Sequence, residues 1–194
     1  MDCDCRAVLS RSGKHINMTT DHKPTNKDER LRIESRGGVI SSDGYISGVN
    51  CQFGVSRGLG DWEFKLESVA LNLLSPISAD PELNTYELTQ EDEFLIIASD
   101  GVWDVLKSDF AQEVVRKQLQ LCNDPVKCSQ ELVRHALKEQ SIDNLTVIVI
   151  CFSSDPPPRM QSTSNSRLWK KTVQVHFIEN DILAPIVGLK IIFF

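Results

Sequence analysis

The apolar positions along the chain change their spacing several times, and each spacing predicts a different element. Cys5-Arg6-Ala7-Val8-Leu9-Ser10 alternates as a half-buried strand does and then turns at Ser12-Gly13. Asp21-His22-Lys23-Pro24 interrupts any regular element. Thr25 or Asn26 then caps a predicted helix with Asp28 and Glu29 in its first turn, favourable near the positive end of the helix dipole, and Gly37-Gly38 ends it. Val39-Ile40 and Tyr45-Ile46 flank Ser41-Ser42-Asp43-Gly44, a hairpin signal. Between Cys51 and Leu74 the pattern is irregular and contains Gly54, Gly58 and Gly60, which predicts a loop-rich connection.

Regularity returns with a strand over Leu83–Leu88, a polar turn at Thr89–Asp92 and a fully buried strand over Phe94–Ala98. Ser108-Asp109 caps a predicted helix with Phe110, Ala111, Val114, Val115, Leu119 and Cys122 on one face. Asp124-Pro125 starts another, with Cys128, Leu132, Ala136 and Leu137 on one face. Leu145–Phe152 is the strongest strand signal, and Pro156-Pro157-Pro158 closes the compact region. The expected organisation is therefore a compact part over 1–153 and an irregular or partly disordered tail over 154–194, which includes the polar run Gln161–Ser166.

Composition narrows the function classes. The chain has 194 residues, 41% of them apolar, enough for one domain with a core. With 27 acidic against 21 basic residues and a net charge of −6, it offers no basic surface for nucleic acid or anionic lipid; cations suit it better. Cys3, Cys5, Cys51, Cys122, Cys128 and Cys151 show no CxxC pairing and none stands beside a histidine at zinc spacing, so they read as reduced thiols, mostly packing groups. The start lacks a secretory pattern, which predicts an intracellular, cytoplasmic or nuclear protein. The apolar end from Ile182 to Phe194 is too short for a membrane span and contains Lys190; it reads as a tail segment or weak docking patch.

The chemistry concentrates in Ile97-Ala98-Ser99-Asp100-Gly101-Val102-Trp103-Asp104, where two aspartates stand at the end of a buried strand. Asp before Gly suits a tight bend. Two carboxylates on either side of a glycine and an aromatic also suit a hard cation, which takes oxygen donors. Ser141-Ile142-Asp143-Asn144 introduces the strongest strand, so if that strand and Phe94–Ala98 are antiparallel neighbours, Asp100 and Asp143 meet at one sheet edge. Clustered carboxylates repel unless a cation offsets their charge. Asp4 is a possible further member, although a residue so near the start also reads as frayed and solvated. His15, His22, His135 and His176 read as structural or solvated. Gly54–Gly60 lacks the Lys-Ser/Thr of a phosphate loop, and Asp43-Gly44 lacks the ligand spacing of an EF-hand.

Ser56-Arg57-Gly58-Leu59-Gly60-Asp61, Ala98-Ser99-Asp100-Gly101-Val102-Trp103-Asp104 and Asp143-Asn144-Leu145-Thr146-Val147-Ile148-Val149 resemble, in this order, the later motifs of the protein phosphatase 2C family, the metal-dependent PPM-type serine/threonine phosphatases. Asp4-Cys5-Arg6-Ala7-Val8-Leu9 and Asp21-His22-Lys23-Pro24 also match, and a plant-type member is the nearest likeness, over roughly residues 3 to 153. The resemblance implies an α+β fold, an antiparallel β-sandwich flanked by helices, with Mg2+ or Mn2+ at one end and a phosphoprotein as substrate. It implies that Asp100 and Asp143 bind the second metal, and that Asp104 and Asp4, with Asp100, hold a weaker third ion. A water bridging the two tight metals would attack the phosphorus in line. Arg57 and Asp61 would shape the neighbouring loop, and no residue of the chain is assigned as a catalytic acid or base.

The family's Asp-Gly-His-Gly-Gly motif and its phosphate-binding N-terminal arginine are not in this sequence, and Cys3 stands where the family usually has glycine. By that resemblance the chain corresponds to the C-terminal part of a phosphatase domain, truncated on its N-terminal side, with exposed sheet edges as an expected consequence. Two functions follow as expectations: phosphoserine/phosphothreonine hydrolysis, or a catalytically inactive remnant serving as a binding module.

Overall fold

The structure, a computed structural model, describes residues 4–48, 51–60, 65, 75–159 and 189–193. Asp61, His176 and the polar run after Arg159 lie outside the described residues. The chain divides into two compact units. One contains Asp4 and Thr20–Leu83, the other Cys5–Thr19 and Asn84–Ile191.

In the larger unit, strands β1 (Arg6–Arg11) and β2 (Lys14–Asn17) form a hairpin across Ser12-Gly13. In the smaller, helix α1 (Lys27–Ser35) precedes β3 (Val39–Ile40), β4 (Ile46–Gly48) and β5 (Cys51–Phe53). Then follow β6 (Glu82–Tyr86), β7 (Asp92–Ala98), α2 (Asp100–Trp103), α3 (Ser108–Cys122), α4 (Pro125–Lys138), β8 (Val147–Cys151) and β9 (Leu189–Phe193). One sheet has the order β2-β1-β7-β8, a second β3-β4-β5, and β6 pairs with β9. Every pairing within the first two sheets is antiparallel, as the α+β expectation requires.

The larger unit buries one core. Phe94, Ile96 and Ala98 alternate along one face of β7 with Val8 of β1 and meet Ala111, Val115 and Leu119 of α3 and Cys128, Leu132 and Ala136 of α4. Each helix thus contributes a ridge at i, i+4 and i+8. Leu9 and Leu95, partners on the opposite face, are also buried, so β7 is covered on both faces as its continuous apolar run predicts, whereas β1, expected to be half-buried, is covered on both faces as well. Burial pushes the Cys128 thiol up to about 12 and the Cys151 thiol up to about 11. Neither forms thiolate at neutral pH, in keeping with packing rather than reactive cysteines.

Several expectations need correction. Helix α3 begins at Ser108 with Lys107 in the cap position and no side-chain cap bond, because the Ser108 hydroxyl accepts from Arg6 Nη1 at 3.2 Å instead. Its buried stripe is narrower than six residues: Phe110 and Cys122 are exposed, and the Phe110 ring meets His135 edge-on at 5.2 Å. Asn26 does stand at the cap of α1, but its amide donates back to the Asp21 carbonyl. Strands β2 and β5 were not expected: the first is almost wholly exposed and the second three residues long, so neither carries a readable apolar period.

The cap of α4 is as expected. Asp124 Oδ1 accepts from Val126 N at 3.0 Å and Lys127 N at 3.3 Å, with Pro125 opening the helix. Asp124→Ala therefore lowers stability by about 1 kcal/mol, measurable as a fall in the urea midpoint with unchanged slope; a midpoint equal to wild type would discount the cap.

In the smaller unit, Ile33 of α1 packs with Ile46 and Ile77, and Ile40 and Phe53 lie against them. The hairpin closes through Ser41 N donating to Tyr45 O at 2.8 Å, with Gly44 at φ 86°, a left-handed conformation that favours glycine.

Candidate metal and phosphate-chemistry site

The acidic octapeptide is not a tight bend. Strand β7 ends at Ala98, and Asp100–Trp103 forms the single helical turn α2, closed by Asp104 N donating to Asp100 O at 2.8 Å. Trp103 holds this turn against the strand ends: its Nε1 donates to Ala98 O at 2.8 Å and to Arg6 O at 3.1 Å. The Arg6 guanidinium lies over its ring, 5.3 Å from the centroid. The aromatic in the motif is thus a buried brace.

Strand β8 runs antiparallel to β7, and the pair Ala98↔Val147 is the last rung of the ladder. Beyond it Ser99 N donates to Thr146 O at 3.1 Å, so the chain leaving β7 and the chain entering β8 stay adjacent through the two aspartate segments. Gly101 is where they touch. A Cβ built on it would stand 2.5 Å from Asn144 O and 3.3 Å from the Asp143 carbonyl carbon, so only glycine permits this approach. Asp100 Oδ1 accepts from Gly101 N at 2.9 Å, and Asp143 Oδ1 accepts from Asn144 N at 2.6 Å. Both carboxylates are therefore oriented locally by the next amide in the chain.

The other two acids belong to different units. Asp104 is exposed and lines a cleft of about 460 Å³ with Arg6, His15, Trp103, Lys107 and Ser108, to which neither Asp100 nor Asp143 contributes. Asp4 belongs to the smaller unit; contrary to the frayed reading it is buried, with Lys23 Nζ 3.6 Å from its Oδ2. Among the described residues no group of three or more His, Cys, Asp or Glu side chains is arranged to hold a metal ion. The two adjoining carboxylate segments nevertheless fit a hard divalent ion in donor type, since Mg2+ takes oxygen ligands and commonly binds through one or two carboxylates while keeping several waters.

His22 is buried, its Nε2 3.1 Å from Glu82 Oε2, and His135 packs on Phe110, both as structural groups. His15 lines the cleft. Arg57 is also structural: its Nε donates to Glu29 Oε1 at 3.0 Å. Arg32 donates to the other oxygen of the same carboxylate from Nε at 3.1 Å and Nη2 at 2.9 Å, and Ser56 Oγ joins it there. Sequence reading placed Glu29 only as a first-turn acid. Its centrality shows in the fold alone, although an Arg three residues on and a second Arg beside Ser56 were the available signals. Ser99 and Ser141, which bond across the two aspartate segments, carried no signal beyond adjacency to Asp100 and Asp143.

Residues 3–145 match the family model of protein phosphatase 2C. Probable protein phosphatase 2C 27 of Arabidopsis thaliana is 48% identical over 165 residues, which cover 85% of this chain and 42% of that protein. Probable protein phosphatase 2C 57 of Oryza sativa subsp. japonica is 51% identical over 155 residues, 80% of this chain and 41% of that protein. Among solved structures, a serine-threonine phosphatase 2C from Toxoplasma gondii aligns with a TM-score of 0.61 at 25% identity, over 76% of this chain and 51% of that one. The chain thus spans about two-fifths of the length of the plant relatives it matches. With the family model covering most of its residues and plant relatives near half identity, the chain belongs to the protein phosphatase 2C family, among its plant-type members.

Proposed function

We propose that the protein acts in the metal-dependent hydrolysis of phosphoserine and phosphothreonine in proteins, with Asp100 and Asp143 supplying oxygen donors to a Mg2+ or Mn2+ ion. The observation that carries this reading is the close approach of Gly101 to Asn144 O, which keeps the two aspartate segments side by side at one sheet edge. A divalent ion bound there would lower the pKa of a water and offset charge on the phosphoryl oxygens. The chain's own part is to hold two carboxylates in fixed backbone frames, each bonded to its neighbouring amide, so that little ordering is required on binding. Asp104 is proposed as a ligand of a more weakly held ion.

A second reading is a noncatalytic binding module, which rests on the sequence holding no Asp-Gly-His-Gly-Gly motif. Phosphate release from a phosphothreonine peptide, followed with Mn2+ or Mg2+, separates the two. Metal-dependent turnover that is lost in Asp100→Ala supports hydrolysis by this chain. No release at high protein concentration, with Mn2+ uptake intact, supports the binding module.

A further inference from the structure

We infer that Ser99 and Ser141 form a reciprocal clasp that sets the spacing of Asp100 and Asp143, and so act as positioning residues for the metal. The inference rests on the reading of those two aspartates as ligands. Each serine belongs to one segment and reaches the backbone of the other. Ser99, one residue before Asp100, donates from Oγ to Asn144 O at 3.0 Å and accepts from Thr146 N at 3.1 Å. Ser141, two residues before Asp143, donates from Oγ to Gly101 O at 2.6 Å. Together the bonds bracket both aspartates just beyond the last rung of the β7–β8 ladder, where regular pairing no longer holds the chains.

The clasp and the glycine act in opposite senses. Contact between Gly101 and Asn144 O sets how near the segments can come, and the hydroxyls set how far they can part. Two neighbouring carboxylates repel in the absence of a cation, so without the hydroxyl bonds the metal-free loops would open and each binding event would have to close them again. Serine suits the task because its short hydroxyl donates and accepts at once, as Ser99 does. Neither serine is among the core residues that pack with Phe94, Ile96 and the two long helices, so loss of a hydroxyl should change the loops more than the fold.

Titration of the whole chain with Mn2+ in a calorimeter tests this, using wild type, Ser99→Ala, Ser141→Ala, Ser99→Thr, Asp100→Ala and, as a control for stability alone, Asp124→Ala. The alanine variants at 99 and 141 should each bind Mn2+ about tenfold more weakly, Ser99→Thr should stay near wild type because it keeps the hydroxyl, and Asp124→Ala should bind normally despite its lower stability. Wild-type affinity in both serine variants, with binding lost in Asp100→Ala, would overturn the clasp and leave the metal reading standing. A wild type that takes up no Mn2+, or an Asp100→Ala variant that binds as well as wild type, overturns both. Amide exchange on the metal-free protein supplies a readout independent of the ion: exchange at Thr146, whose N–H the Ser99 hydroxyl accepts, should quicken in Ser99→Ala, and an unchanged rate there also sinks the clasp.

Discussion

Glu29→Ala should destabilise the smaller unit by about 3–5 kcal/mol at neutral pH, the cost of removing one partner from a buried ion pair. The carboxylate is 7% exposed, and the Arg32 and Arg57 side chains that converge on it are 17% and 19% exposed. Its deletion leaves two largely buried guanidiniums facing each other, although Arg32 keeps the Pro76 and Ser56 carbonyls at 2.9 Å. Burial by itself pushes the Glu29 carboxyl up; the hydrogen bonds from Arg57, Ser56 and Arg32 outweigh it and bring the pKa down to about 2 from 4.5.

The sign follows from proton counting. Below pH 4.5 the unfolded chain takes up a proton at this position before the folded one does, so acid favours unfolding. The resulting stabilisation, on the order of 3 kcal/mol, is fully present above pH 4.5 and lost as the pH falls towards 2. Urea unfolding from pH 7 to pH 2.5, with amide exchange at Ile33 and Ile46 reporting on the unit, measures it. The gap between wild type and Glu29→Gln should shrink steadily below pH 4.5; a gap independent of pH would rule out the buried carboxylate as its source.

Gly101→Ala should be the most damaging small substitution in the larger unit. Its Cβ would stand 2.5 Å from a backbone oxygen, and neither α2, pinned by Trp103, nor the start of β8, tied to Ser99, can yield without breaking hydrogen bonds. A cost of about 3 kcal/mol, at the upper end of what overpacking produces, is expected. The same change pushes the Asp100 and Asp143 segments apart, so Mn2+ affinity should fall beyond what the serine variants lose. Thermal unfolding and Mn2+ titration check both parts. An alanine variant that melts within a degree of wild type would show that the two segments do not touch in solution.

How much of this was legible depended on the range of the interaction. The hairpin at Asp43-Gly44, the Asp124-Pro125 start of α4 and the runs that became β1 and β7 are written in neighbouring residues, because turns, caps and apolar periods are local. That the segments carrying Asp100 and Asp143 adjoin also followed from the chain, once β7 and β8 were taken as antiparallel partners, and the register Ala98↔Val147 bears out that pairing. Four-residue α2 could not be read, since one turn is too short to show a period. Nor could the burial of Asp4 or the pairing of Glu29 with Arg57 across 28 positions, because a charge looks solvated until the fold supplies its partner.

By itself, then, the order of residues determined the family motifs, the antiparallel α+β character and which acids to watch. Only the tertiary structure decided that Gly101 brings the two aspartate segments into backbone contact, that Asp104 lines a cleft with Arg6 and Trp103, and that two serines bridge the gap. The physical reason is distance: periodicity reports which side of an element is buried, whereas a single atomic contact between remote backbones leaves no repeating mark in the sequence.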